Sequence, residues 1–209
     1  MNEIQRISDL RFVEEAKKFM TPLFLNDPLM VKLFEGSNKS KHIENFFDYM
    51  IYSNIARKEI TLGLYEDSHL IGVAMVETTT GLHGKQLLRK PAFVLKTVEY
   101  YFRTPRRALR IINDIVNHIN HARPKVPHHY IHYVGVMGKL QGKGIGRRFL
   151  EYINEIVEAD SKSIGVGLDT ENDKNVSLCL KLGYQLVSQK TFDDLTIYCL
   201  FKPKKINEI

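Results

Sequence analysis

Cysteines and long apolar runs are scarce in this chain, and tryptophan is absent. No stretch of roughly 18 consecutive apolar residues occurs, which excludes an ordinary membrane-spanning helix. Two cysteines, Cys179 and Cys199, are too few for a disulfide framework and read as reduced thiols. Internal repeats and low-complexity tracts are also absent. The opening residues Met1-Asn2-Glu3-Ile4-Gln5-Arg6 carry an acid early and no apolar h-region behind it, so a secretory leader is not expected. The resulting expectation is a cytoplasmic protein with no membrane partner.

What is present is globular in character. The 209 residues are 44% hydrophobic and 26% charged, enough apolar material for one sizeable core. A formal net charge of +6 gives a mild preference for anions. The aromatic residues do not alternate with basic ones as in RNA-binding surfaces, so nucleic acid is not the expected partner. A smaller phosphorylated molecule satisfies the same charge. The cluster Arg103, Arg106, Arg107 and Arg110 reads as a solvated face, or as the entrance for a substrate or cofactor.

Periodicity places the elements. A short strand near Ile4 precedes a helix that Asp9 can cap and Thr21-Pro22 should stop. A second helix is expected from about 42 to 56, then paired strands at 60–65 and 70–76 around the turn Glu66-Asp67-Ser68. Pro91 and Pro105 each open a helix. Residues 129–137 are apolar on both faces and suit a central strand. Helices at 143–159 and about 173–182, and strands at 164–168, 185–190 and 196–201, complete one α/β (α+β) domain. It should be a mixed twisted sheet with flanking helices, a helical insertion over about 78–127 and a core over about 129–201.

The informative stretch runs from Val134 through Arg148: VGVMGKLQGKGIGRR. A buried strand enters a glycine-rich turn, and the turn enters an amphipathic helix. Gly142, Gly144 and Gly146 let the backbone turn its amides inward and remove side chains that would hold a phosphate away. The helix start and its macrodipole favour an anion there, and Lys143, Arg147 and Arg148 add full charges. A pyrophosphate fits. The P-loop pattern fails because no glycine–lysine pair is followed by Ser or Thr with the required glycine before it. The dinucleotide pattern fails because Arg147 stands where its last glycine belongs.

Gln141, Gly144 and Gly146 instead resemble the Q/R-x-x-G-x-G/A signature of the GNAT (GCN5-related N-acetyltransferase) superfamily. Leu168 to Tyr184, LDTENDKNVSLCLKLGY, is similar to that family's LETSN…N…LYEKLGF segment, and His129-Tyr130-Ile131 to the HWYL strand opening of a small-molecule branch. The resemblance covers about a third of the chain, from His129 to Phe201. It implies an acetyl-CoA-dependent N-acetyltransferase acting on a primary amine, with a small molecule as first choice of acceptor and a protein N-terminus or lysine as the alternative. It implies that Val134, Val136 and Met137 line the pantetheine arm in a splay, with Gly135 suited to a bulge. The backbone of Gln141, Gly142, Lys143, Gly144, Ile145, Gly146 and Arg147 would hold the pyrophosphate. Asn172 matches a pantetheine contact, with Asn175 as its rival and helix capping as the alternative for both.

Cys179 departs from the pattern, standing where the family carries a tyrosine that protonates the leaving thiolate. Either the thiol donates, or it is a small core residue; water or another side chain then donates, catalysis relies mainly on positioning, or the chain is an acetyl-CoA sensor without efficient turnover. Candidates for the general base are Asp169, Glu77 and His132. His128, His129 and His132 do not converge on a strand, so no metal is expected. A homodimer is compatible with all of this.

Overall fold

The computed structural model describes residues 3–82 and 84–205. Met1 and Asn2, part of the leader reading, lie outside them. Seven strands form one sheet in the order β1-β2-β3-β4-β5-β7-β6. They are β1 (Ile4–Arg6), β2 (Ile60–Glu66), β3 (His69–Glu77), β4 (His129–Val136), β5 (Gly165–Thr170), β6 (Gln185–Phe192) and β7 (Leu195–Pro203). Only β4 and β5 pair in parallel; every other neighbour is antiparallel.

Helices cover both faces, because β3 is buried along nearly its whole length and needs cover on each side. On one face lie α1 (Phe12–Leu23) and α3 (Lys39–Ala56). Their Ala16, Met20, Ile43, Phe47 and Ile51 pack with Val73 and Met75 of β3. On the other lies α7 (Ile145–Ala159), whose Phe149, Ile153 and Val157 recur at helical spacing and pack with Ile131, Val166 and Leu168. The same cluster takes in Cys179 of α8 (Asp173–Lys181). Between β3 and β4 the chain inserts α4 (Lys85–Leu88), α5 (Pro91–Arg103) and α6 (Arg106–Ala122), while α2 (Pro28–Leu33) follows α1.

Three local expectations change. Thr21-Pro22 does not stop α1: Pro22 sits in the last turn, and Thr21 Oγ1 donates to the Lys17 carbonyl at 2.7 Å. Asp9 does not cap the helix itself but accepts from the Arg11 amide at 2.8 Å just before it. The periodicity reading also had no α2, whose six residues are too few to show a period. Its start was legible in Asp27-Pro28: the Asp27 side chain accepts from the Met30 amide, and proline opens the first turn.

The fourth change matters for function. The bulge in β4 is at His132, not Gly135. Met75 pairs with Tyr133 and Val76 with Ile131, so His132 has no partner on β3, whereas Gly135 stays in register with Val73. Gly135 is glycine for a different reason. A Cβ there would lie 2.5 Å from Met20 Sδ, so the missing side chain lets α1 press against the strand.

Candidate active site

The sheet opens where the bulge begins. Parallel pairing between β4 and β5 covers His129–Val166, Tyr130–Gly167 and Ile131–Leu168, and stops. Beyond that point β4 continues along β3 as far as Val136, and β5 continues along β7 as far as Thr170. A wedge therefore separates the two central strands.

The antiparallel register shows which backbone groups face the wedge. Hydrogen-bonded pairs alternate along such a ladder. The Met137 amide donates to the Ile71 carbonyl at 3.0 Å, which puts residues 133, 135 and 137 in the bonded set. The amides and carbonyls of Val134 and Val136 consequently turn away from β3, towards the gap. The Val136 carbonyl already accepts from Gln141 Nε2 at 3.1 Å, so the Gln141 side chain ties the loop to the end of the strand. Met137 is different. Its amide and its carbonyl are both engaged within the protein, the latter by the Leu140 amide at 2.8 Å, and its side chain packs against the core under α7.

The loop after β4 is shaped by left-handed backbone at Gly142 (φ 77°) and Gly144 (φ 86°), a conformation other residues adopt at a cost of about 1–2 kcal/mol. Gly144 caps α7, and the first bond of that helix runs from the Arg148 amide to the Gly144 carbonyl at 2.9 Å. The amides of Ile145, Gly146 and Arg147 thus have no partner inside the helix. A Cβ built at Gly142, Gly144 or Gly146 would meet nothing within 4 Å, so the cradle opens outward at all three. Open space, free amides and the positive end of a 15-residue helix together suit a pyrophosphate. Lys143 is exposed beside them; Arg147 is exposed too, but paired to Glu151 at 2.7 Å.

Side chains rather than backbone furnish the other side of the wedge. The bulge residue His132 places Nε2 3.3 Å from Glu77 Oε2. Arg123, just after α6, grips the same carboxylate with two N–H groups at 2.9 and 3.2 Å. Its Nε donates to His128 at 3.1 Å, and its guanidinium lies 4.0 Å over the Tyr130 ring. Burial would raise the Glu77 pKa, but the hydrogen bonds from His132 and Arg123 prevail and hold the carboxyl well below its ordinary range. Glu77 is therefore a fixed anion, unsuited to taking a proton, and serves as an anchor for His132. Tyr130 in turn donates to Asp169 at 2.7 Å. Burial raises the Asp169 carboxyl above the usual range, against the stabilising Tyr130 hydroxyl.

Two carboxyls missed by the sequence reading complete this side. Glu171, just past β5, hydrogen-bonds to Asp27 at the start of α2, and its pKa is raised strongly, first by burial and then by Asp27. Burial likewise raises the hydroxyl of Tyr133, which also feels Asp169, Asp27 and Glu171. Aromatic rings of Phe24, Phe46 and Phe47 surround Tyr133 edge-on. Nothing local marks Arg123, Tyr130, Asp27 or Glu171 as site residues, since each acquires its partner across the fold.

The remaining candidates separate. Asn172 is the N-cap of α8, accepting from the Lys174 amide at 2.9 Å, and Asn175 donates to Thr170 at 3.2 Å. Cys179 is buried among the residues packed under α7, where burial pushes its thiol up to about 11. His129 points away from His128 and His132 and bonds Ser163 at 3.0 Å.

Comparisons with known proteins agree with this geometry. A family model described as the acetyltransferase (GNAT) family matches residues 28–184. No curated protein matches the chain in sequence. Among solved structures, one of histone acetyltransferase HPA2 and related acetyltransferase from Corynebacterium glutamicum ATCC 13032 aligns over 100% of this chain and 99% of its own, with a TM-score of 0.69 and 16% identity. The Drosophila melanogaster polyamine N-acetyltransferase aligns over 96% and 98%, with a TM-score of 0.57 and 14% identity. A PaiA N-acetyltransferase from Thermoplasma acidophilum in complex with coenzyme A aligns over 97% and 99%, with a TM-score of 0.59 and 13% identity. At these identities the structures speak for the fold alone.

Proposed function

Because this chain belongs to the GNAT acetyltransferase family, we propose that it transfers the acetyl group of acetyl-CoA to a primary amine carried by a small cationic molecule. The observation that carries the reading is the wedge between β4 and β5 with the glycine cradle at its end. A pantetheine arm can add to the free edge of β4 as a strand would, using the Val134 and Val136 backbone. Its pyrophosphate would then meet the backbone from Gln141 to Arg147, chiefly the amides of Ile145, Gly146 and Arg147. The solved relative bound to coenzyme A supports the choice of donor.

On the acceptor side, His132 is the favoured general base. With Nε2–H donated to Glu77, Nδ1 keeps its lone pair, and Glu77 holds the ring in that tautomer. The Nδ1 lone pair takes a proton from the arriving ammonium. The amine nitrogen then attacks the thioester carbonyl and the carbon–sulfur bond breaks; the nitrogen loses its second proton to solvent, and the thiolate is protonated by solvent or by Cys179, which solvent reprotonates. Asp169 is the second candidate base, because burial raises its carboxyl above the ordinary range and so makes it a better proton acceptor than a solvated carboxylate. The Asp27–Glu171 pair supports a cationic acceptor, since two half-buried carboxyls in contact favour a positive charge between them. One solved relative acts on polyamines and another concerns a histone acetyltransferase, so both acceptor classes occur on this fold.

A second reading, an acetyl-CoA sensor without efficient turnover, is favoured by one observation: buried Cys179 in the place of the family's tyrosine. Release of free thiol from acetyl-CoA, followed across monoamines, diamines, aminoguanidines and short peptides, tests both. Faster release with small dications supports the proposal. Release with peptides alone overturns the acceptor assignment, and tight acetyl-CoA binding without release by any amine establishes the sensor.

A further inference from the structure

The helical insertion contains a helix turned the wrong way for an ordinary protein surface. At 3.6 residues per turn, Pro91, Leu95, Val98 and Phe102 fall on one line along α5, opposite the inward Phe93 and Tyr100. The inward side is well occupied. Tyr100 stacks on Tyr49 of α3 with ring centroids 4.3 Å apart, and Phe93 packs near Tyr52. The outward line is apolar where polar residues belong. Phe102 is 88% exposed, Leu88 at the end of α4 71% and Leu95 70%, with Val98 and Tyr101 exposed beside them. Single exposed hydrophobics are ordinary, but a contiguous row along one helix marks a contact surface.

Charge identifies what the row contacts. Between residues 85 and 110 there are eight lysines and arginines against one acid, Glu99, so this segment alone carries more net positive charge than the +6 of the whole chain. Lys85, Arg89, Arg103, Arg106 and Arg110 are all exposed and bracket the row at both ends. Arg103, next to Phe102, also lines a groove of about 330 Å3 with Asn38, Lys41, His42 and Asn45. Into that groove's wall is set a buried His42 Nδ1 without a protein partner among the described residues.

From this placement we infer that α5, with the basic ends of α4 and α6, docks on a lipid surface rich in anionic headgroups. Leu88, Leu95, Val98 and Phe102 enter the acyl boundary, and the flanking arginines and lysines lie at headgroup level. The groove beside Phe102 offers cations and amide donors at the depth of a lipid phosphate. A second copy of the chain is the poorer occupant, because face-to-face contact would bring two strongly basic segments together. Nucleic acid would satisfy the charge and leave the apolar row in water. The expectation of no membrane partner rested on the absence of a spanning segment, and a helix lying in the interface needs none. This inference is independent of the acetyl-transfer reading.

Co-sedimentation with vesicles tests it. The protein should bind vesicles of phosphatidylcholine mixed with phosphatidylglycerol, bind pure phosphatidylcholine at least tenfold more weakly, and be released by salt. Leu95→Ser with Phe102→Ser should lower binding to mixed vesicles about tenfold or more, with an unchanged melting temperature and acetyl-CoA affinity. Arg89→Gln with Arg106→Gln should lower it comparably and weaken its salt dependence. No binding of the native protein to mixed vesicles overturns the inference, as does binding indifferent to the Leu95 and Phe102 changes. A dimer in sedimentation equilibrium that those two changes dissolve, without vesicle binding, assigns the face to a second copy.

Discussion

In the proposed reading, the two sides of the wedge, one for the donor and one for the acceptor, are built from different materials. The donor side is made of backbone: the edge of β4, two glycines in left-handed conformation and the unpaired amides of a helix start. The acceptor side is made of side chains brought from five elements or their ends: Asp27 from α2, Glu77 from β3, Arg123 after α6, His132 from β4, and Asp169 with Glu171 from β5. A backbone site binds one kind of group, a phosphate or an amide-like arm, whatever the neighbouring side chains are. A side-chain site can be changed one residue at a time. The difference suits a fold shared by solved structures named as a histone acetyltransferase and as a polyamine N-acetyltransferase.

The largest expected effect strikes the backbone side. Gly144→Glu puts a carboxylate where the phosphates belong and forces a non-glycine residue to φ 86°. Acetyl-CoA affinity measured by calorimetry should fall by about 100-fold or more, since each 1.4 kcal/mol is tenfold. Retained affinity would show that the cradle does not hold the donor. Gly144→Ala, which keeps the strain without the charge, should lose much less.

On the side-chain side, His132→Ala should lower kcat by about 100-fold or more while leaving the KM for acetyl-CoA near its native value, in keeping with the usual weight of general-base catalysis. Its signature is a loss confined to kcat, with acetyl-CoA affinity unchanged. A comparable kcat loss in Asp169→Asn with near-native kcat in His132→Ala would move the base to Asp169. The contrast between the two sides is that only the donor-side change should abolish acetyl-CoA binding.

The smallest effect concerns stability. Glu171 has a folded pKa raised above its unfolded value, so between the unfolded pKa of about 4.3 and the raised folded one, only the native state keeps the proton. That contribution is fully present below the unfolded pKa and is lost as pH rises through the folded one. Glu171→Gln removes the loss. Its melting temperature should exceed the native protein's by a margin that widens from pH 5 to pH 8 and corresponds to about 1 kcal/mol or more of stability at the upper end. A margin that narrows with pH would show that Glu171 is ionised and paired in the native state.

Legibility followed the same division. The β4–loop–α7 unit was readable because its determinants are local: apolar alternation, glycines at alternate positions, then apolar residues three and four apart. The bulge was misplaced from His132 to Gly135 because glycine signals a bulge in isolation, whereas here it answers to Met20, far off in sequence and in contact only in the fold. Glu77 and His132 were named as separate candidates for one role. Their contact, and the Arg123 clamp that makes Glu77 an anchor, span long stretches of chain that no period connects.

What the sequence determined by itself is the strand–glycine loop–helix unit on which the proposed donor site rests, because its backbone angles depend on consecutive residues. The tertiary structure alone decided the contacts of Glu77 with His132 and Arg123, the pairing of Asp27 with Glu171 and the outward turn of the α5 apolar row. Each of these depends on which distant surface a side chain meets, and burial and charge act through space rather than along the chain.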